Sequence, residues 1–181
     1  KPPRRAAPSP MRSSAHRADD RPPMVLLGVT GSIAAYKAAE IARALIRGGV
    51  RVRVVMTPAA ERFVTPLTFE ALTGSPVLTE RSASGPEISH IAVAREAAAL
   101  LIAPATAHTI AKMALGLADN LLSEIVLAST APVFVAPAMN VEMYRHPATQ
   151  ANLSTIRSRG VTVFDPAAGE FPHALDERVA I

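Results

Sequence analysis

The sequence predicts one domain of the doubly wound α/β class, a parallel β-sheet with helices on both faces. Three observations carry that prediction. Short apolar runs (MVLLGV, VRVVM, ALLIA, PVFVA and VTVF) recur along the chain, near-continuous rather than alternating, which is how strands buried on both faces read. The first strand, first helix and second strand fit within roughly thirty residues, the length of a βαβ unit, so the strands should be parallel. With 181 residues, 49% apolar and 4% aromatic, the chain can fill one core of ordinary size from Ala, Val, Leu and Ile.

The elements follow in order. Residues 1–23 contain Pro2, Pro3, Pro8, Pro10, Pro22 and Pro23 together with Ser and Arg. That composition buries too little apolar surface to offset chain ordering, so 1–23 reads as a disordered Pro/Arg-rich extension and 24–181 as the domain. MVLLGVT, from Met24, reads as a buried strand. The helix IAAYKAAEIARALIRGG sets Ile33, Tyr36, Ala39, Ala42 or Ile41, and Leu45 near one face, with Gly48 and Gly49 as its stop. A strand at 52–56 is followed by a helix around Pro66 to Thr73, a strand at 99–103, helices at 106–115 and 119–129, and a strand at 132–136. A last helix at about 147–159 ends at Gly160, before a strand at 161–164. There is no internal repeat.

Charge and composition exclude several function classes. The formal charge of +4 belongs to the extension: Lys1, Arg4, Arg5, Arg12, Arg17 and Arg21 against Asp19 and Asp20 give 6 − 2 = +4, and the remaining basic and acidic side chains cancel. A basic folded surface for nucleic acid is therefore absent, and so few rings make no stacking platform. The chain contains no cysteine, hence no disulfide, thiolate metal site or thiol acid. No apolar run approaches the ~18 residues of a membrane span, and the N-terminal segment lacks the apolar stretch of a signal peptide. The expectation is a soluble cytoplasmic protein with neither membrane nor nucleic-acid partner.

In a doubly wound sheet ligands bind beyond the carboxyl ends of the strands. The loops there are Gly28-Val29-Thr30-Gly31-Ser32-Ile33, Thr57-Pro58, Pro104-Ala105-Thr106-Ala107-His108-Thr109 and Pro137-Ala138-Met139-Asn140. The first ends at a helix start, where free N–H groups favour a phosphate, Gly31 permits close approach and Ser32 offers a hydroxyl. It is neither G-x-G-x-x-G nor a Walker loop, and Ser32 reads equally as an ordinary helix cap. Hydroxyl and amide groups on all these loops point to convergence on a ligand.

Of the histidines, His16 lies in the extension, His146 beside Pro147 reads as a helix start, and His173 stands in a stretch without pattern. No pair has metal-ligand spacing, so no metal site is expected. His90, just before Ile91-Ala92-Val93-Ala94, reads as a titrating base or as a structural histidine.

Gly31-Ser32-Ile33-Ala34-Ala35-Tyr36-Lys37, His90-Ile91, PATAHT at 104–109, GLADNLL at 116–122 and PAMNVEMY at 137–144, followed by HPATQANL, resemble the homo-oligomeric flavin-containing cysteine decarboxylases. The resemblance runs from about Met24 to Gly169. It implies a single doubly wound Rossmann-like (flavodoxin-like) sheet and the cofactor FMN. It further implies phosphate contacts at Gly31, Ser32 and Thr57 with Ile33 beside them, and ribityl and ring contacts at Thr106, Ala107, His108, Thr109 and Ala138. His90 becomes the active-site base, Asn140 the partner of the substrate carboxylate, and Met143 a further substrate contact. Trimers or dodecamers with FMN near a subunit interface are implied as well.

The chemistry of such enzymes accounts for these residue types. A cysteine carboxylate cannot leave as carbon dioxide until the electrons have a sink. Oxidation of CH₂–SH to a thioaldehyde by FMN creates one, and decarboxylation then delivers the electrons to sulfur as an enethiolate. A histidine can take up the thiol proton, and an amide can hold the carboxylate without a full ion pair. Family members that make phosphopantetheine reduce the enethiol again, using the cysteine of an Ala-Cys-Gly flap. Here the equivalent region reads Gly169-Glu170-Phe171-Pro172-His173-Ala174-Leu175. His108, Thr106 and Tyr144 also stand where the family usually has Asn, Ser and Trp. The expected function is therefore oxidative decarboxylation of the C-terminal cysteine of a precursor peptide to an aminoenethiol. The alternative is phosphopantothenoylcysteine decarboxylation in coenzyme A synthesis.

Overall fold

The computed structural model describes residues 21–80 and 90–164, with the backbone of 168–169 and 179–180. From the N-terminus run β1 (Met24–Val29), a 3-10 turn (Ile33–Tyr36), α1 (Lys37–Arg47), β2 (Arg51–Met56), a second 3-10 turn (Ala60–Arg62), α2 (Pro66–Thr73), α3 (His90–Glu96) and β3 (Ala99–Ala105). Then follow α4 (Ala107–Leu115), α5 (Leu121–Ala128), β4 (Val133–Pro137), β5 (Met139–Asn140), α6 (Val141–Arg145), α7 (Pro147–Ser158), β6 (Thr162–Val163), β7 (Ala168–Gly169) and β8 (Val179–Ala180).

Five strands form one parallel sheet in the order β2-β1-β3-β4-β6. The chain moves outward from β1 to β2, then returns across β1 to β3 and continues the other way. β1 and β3 thus flank the point where the winding reverses, and a crevice opens at their carboxyl ends. Side chains alternate between two cores. Leu26, Leu100 and Ile102 meet α3, α4, α5 and α7 through Val93, Ile110, Ile125 and Leu153. Leu27, Val29, Val54 and Met56 meet α1 and α2 through Ala38, Ala42 and Phe69. Helices on both faces follow directly from strands apolar on both faces.

Several expectations shift. The first helix opens with a 3-10 turn, and its fully buried positions are Ala34, Ala35, Ala38 and Ala42, while Ile33 and Tyr36 face outward. The expected stripe through Ile33 and Tyr36 is therefore rotated by about one position. Small alanines let the helix backbone approach the sheet, and the tighter first turn changes the phase. In the extension, the carbonyls of Pro22 and Pro23 accept from Arg51 Nε at 2.9 Å and Arg51 N at 3.0 Å, so the folded unit takes in residues that composition assigned to the tail. Residues 1–20 lie outside the described ones. Four features are not foreseen from the sequence: the 3-10 turn at Ala60–Arg62, α3, α6 and the small antiparallel sheet β5-β8-β7. Each is short, and two-residue strands carry no periodicity to read.

No helix among the described residues is long and apolar enough to cross a membrane.

Candidate active site

The loops after β1, β2, β3 and β4 surround one cavity of about 760 Å³ at the winding reversal. Its wall includes Gly31, Ser32, Ile33, Thr57, Thr106, Ala107, His108, Thr109, Ala138, Asn140 and Met143, the whole cofactor and substrate set expected from the sequence apart from His90. A second cavity of about 590 Å³, lined from the ends of α4, α5 and α7, contains none of them.

Local folding positions each group. Ser32 is the N-cap of the first 3-10 turn, and its hydroxyl accepts from Ala34 N at 3.3 Å. Thr57 Oγ1 accepts from Ala60 N at 3.3 Å in the neighbouring loop. Thr106 caps α4, accepting from Thr109 N at 3.3 Å. Asn140 caps α6, its Oδ1 accepting from Glu142 N at 2.7 Å and Met143 N at 3.4 Å. In each case the cap uses an acceptor. The Ser32 and Thr57 hydroxyl protons and the Asn140 NH₂ remain as donors, while the Thr106 hydroxyl also shares a hydrogen bond with the Thr109 hydroxyl at 3.1 Å.

Gly31 has a reason the sequence did not disclose. A Cβ placed there would lie 2.5 Å from Ala59 Cβ and 3.0 Å from the Ala59 carbonyl carbon. The close approach is between the β1 and β2 loops, whatever ligand lies beyond them. Thr30, buried one residue earlier, performs a similar service: its Oγ1 donates to Pro104 O at 2.7 Å and accepts from Thr106 N at 3.1 Å. One hydroxyl thereby ties the β1 loop to the β3 loop. No periodic or motif signal marks Thr30 in the sequence, because its role is purely long-range.

The cavity also holds Lys112, Asp119 and Asn120. Lys112 Nζ lies 2.7 Å from Asp119 Oδ1. Hydrogen bonding from Lys112 foremost, with its charge, holds the Asp119 carboxyl below the usual carboxylate range. Lys112 escaped the sequence reading although it lies four residues after His108, one helical turn along the same face. Asn120 caps α5 in a reciprocal box with Ser123.

His90 does not reach this cavity within its own chain. It begins α3 with Nδ1 3.6 Å from Glu124 Oε2 on α5, and its side chain is 42% exposed. His146 caps α7 through Nδ1, accepting from Ala148 N at 3.1 Å. His16 and the stretch from Glu170 to Leu175, with His173, lie outside the described residues. Among the described residues no group of His, Asp and Glu could hold a metal ion.

Residues 13–180 match the Flavoprotein family. The chain belongs to that family. Within it, the neighbours are cysteine decarboxylases. The chain is 50% identical over 148 residues, 81% of its length, to the coenzyme A biosynthesis bifunctional protein CoaBC of Vibrio parahaemolyticus. It spans only 37% of that relative. The solved structure of the FMN-dependent cysteine decarboxylase SpaF superposes with a TM-score of 0.76 at 36% identity, covering 82% of this chain and 87% of that one. A cysteine-to-serine variant of PPC decarboxylase complexed with pantothenoylaminoethenethiol superposes with a TM-score of 0.76 at 33% identity, covering 88% and 90%. The flavoprotein cofactor is FMN, and the cavity residues fit it. The hydroxyls of Ser32 and Thr57 beside two helical starts suit a phosphate, while Ile33, Ala107, Ala138, Met139 and Met143 supply apolar walls for a ring system.

Proposed function

We propose that this flavoprotein decarboxylates phosphopantothenoylcysteine, the cysteine carboxylate resting on Asn140 and FMN lying between the Ser32–Thr57 cradle and the start of α4. The observation that carries the reading is the convergence of loops distant in sequence on one cavity at the β1/β3 reversal. The 50% identity to CoaBC supports this substrate.

FMN, when bound, supplies the two-electron sink that lets the carboxylate leave. The chain supplies position and proton handling. The Asn140 NH₂ donates to the carboxylate while its carbonyl stays with the α6 cap, so the donor is aimed before substrate arrives. His90 takes the thiol proton. Since His90 lies outside its own chain's cavity, the base of each site comes from a neighbouring copy, in keeping with a homo-oligomer whose FMN lies near the subunit interface.

A second reading, oxidative decarboxylation of a peptide's C-terminal cysteine, draws support from the absence of cysteine in these 181 residues. Whatever proton completes a reductive half-reaction does not come from a thiol of this segment. The two readings separate on product mass. Incubation with phosphopantothenoylcysteine and, separately, with a cysteine-ended peptide tests which substrate turns over. Loss of about 44 mass units reports decarboxylation followed by reduction, and loss of about 46 reports a reaction stopped at the enethiol. Failure to process phosphopantothenoylcysteine beside turnover of the peptide would replace the first reading by the second.

A further inference from the structure

The cavity wall is almost uncharged. Among the described residues that line it, Lys112 is the one cationic side chain, Asp119 the one carboxylate, and His108, a helical turn before Lys112, the one imidazole. The ion pair is asymmetric. The Lys112 side chain is 14% exposed and that of Asp119 61%. The cation is sheltered and the anion stands in solvent, where water screens it. The field inside the cavity is therefore biased positive, although the pair is formally neutral.

Two-electron reduction of a flavin leaves additional negative charge on its ring system near neutral pH, and a fixed cation beside the ring favours that form. We propose that Lys112 raises the reduction potential of the bound flavin by stabilising the reduced form, and that Asp119 positions the ammonium while partly offsetting its charge. The inference rests on FMN occupying this cavity. Neither residue was among the expected cofactor contacts, and the assignment follows from their place on the wall and their unequal exposure. It gives the electron acceptor the bias it needs to draw electrons from a thiol before carbon dioxide leaves.

The test is the potential of bound FMN, measured by equilibration with a reference dye at about pH 8, where ordinary histidine side chains are neutral. Lys112→Met should weaken binding of reduced relative to oxidised FMN at least tenfold, a potential lower by about 30 mV for a two-electron couple. Asp119→Asn should move the potential upward, because the ammonium loses its counter-charge. Lys112→Arg should restore the wild-type value. A merely structural ion pair predicts the same direction for Lys112→Met and Asp119→Asn. That result, or unchanged potentials in both, overturns the proposal.

Ser32→Asp serves as the siting control, since it sets a carboxylate where the phosphate would rest. Loss of FMN binding in that variant keeps the flavin in this cavity, so unchanged potentials would then refute the role of Lys112 alone. Undiminished FMN binding in Ser32→Asp removes the flavin from the cavity, and the proposal falls with it.

Discussion

Replacing Gly31 by alanine probes the contact between the β1 and β2 loops. The backbone there does not have a positive φ, so the substitution acts through contact alone. The new methyl would meet Ala59 Cβ at 2.5 Å, the Ala59 carbonyl carbon at 3.0 Å and its oxygen at 3.2 Å. Carbon atoms rest at about 3.5–4.0 Å, so the loops must part by roughly 1 Å. Backbone is involved, and no rotamer change can relieve it. Overpacking of this kind costs about 1–3 kcal/mol. Ser32 and Thr57 move apart with the loops, so FMN affinity should fall about tenfold or more, tenfold being about 1.4 kcal/mol. Urea denaturation of the apoprotein and fluorescence titration with FMN read the two effects separately. Gly28→Ala is the internal comparison: its Cβ meets chiefly Leu122 Cδ1 at 2.8 Å, a side-chain tip that can turn aside, and it should cost less. Adding Ala59→Gly to Gly31→Ala removes the shortest contact but not the backbone ones and should recover part of the loss. A Gly31→Ala protein with unchanged stability and an FMN affinity within about twofold of wild type would refute loop contact as the reason for this glycine.

Thr30→Val, nearly isosteric, should destabilise the protein by about 1–3 kcal/mol in urea, because the Pro104 carbonyl and the Thr106 N–H lose their buried partner. Asn140→Asp should leave the fold and FMN content unchanged, since Asp caps a helix as well as Asn does, yet abolish turnover by setting a negative charge against the substrate carboxylate. His90→Asn should bind FMN and be inactive; co-expressed with Asn140→Asp it should regain activity at about a quarter of the sites, because mixed oligomers form sites with both residues intact. No recovery would place His90 and Asn140 of one site on the same chain. The Lys112–Asp119 pair should survive mild acid: with the folded carboxyl held below its unfolded value, the pair's contribution is complete above the unfolded value of about 4 and is lost only as pH falls through the lower folded one. Carboxyl NMR of Asp119 across that range checks it.

What could be read from the sequence, and what could not, divides by range. The five parallel strands were legible because burial on both faces leaves an apolar run that no tertiary knowledge is needed to see. Their order was not. Nothing local to VRVVM or ALLIA says that both flank β1, yet that order creates the crevice. Ser32, Thr106 and Asn140 could be found because each lies where a strand hands over to a helix. Thr30 and Asp119 could not, since one is defined by a carbonyl 74 residues away and the other by a lysine across a loop. His90 shows the opposite limit. Motif resemblance picks it out, while its own chain holds it beside Glu124 and away from the cavity, so its proposed role as the base rests on a second copy that the contacts of one chain do not reveal.

Helix cap and ligand contact, the two readings open at Ser32 in the sequence, do not exclude each other. A cap needs an oxygen to receive backbone N–H groups, whereas an anionic ligand needs N–H and O–H donors. Ser32, Thr106 and Asn140 each spend an acceptor on the cap; Ser32 and Asn140 keep a donor for the cavity, and the Thr106 hydroxyl shares a hydrogen bond with that of Thr109. The cap therefore orients the donor at no cost to binding, and it does so before any ligand is present. A side chain with only one of the two functions fails this test. Asp at position 140 retains the acceptor and loses the donor, so under the role proposed for Asn140 the same substitution should keep α6 intact and remove the hold on a carboxylate. The three caps lie on three different loops, and the fold brings them together only where the winding reverses. Preorganisation here is a consequence of how parallel strands hand over to helices, concentrated at one crevice by topology.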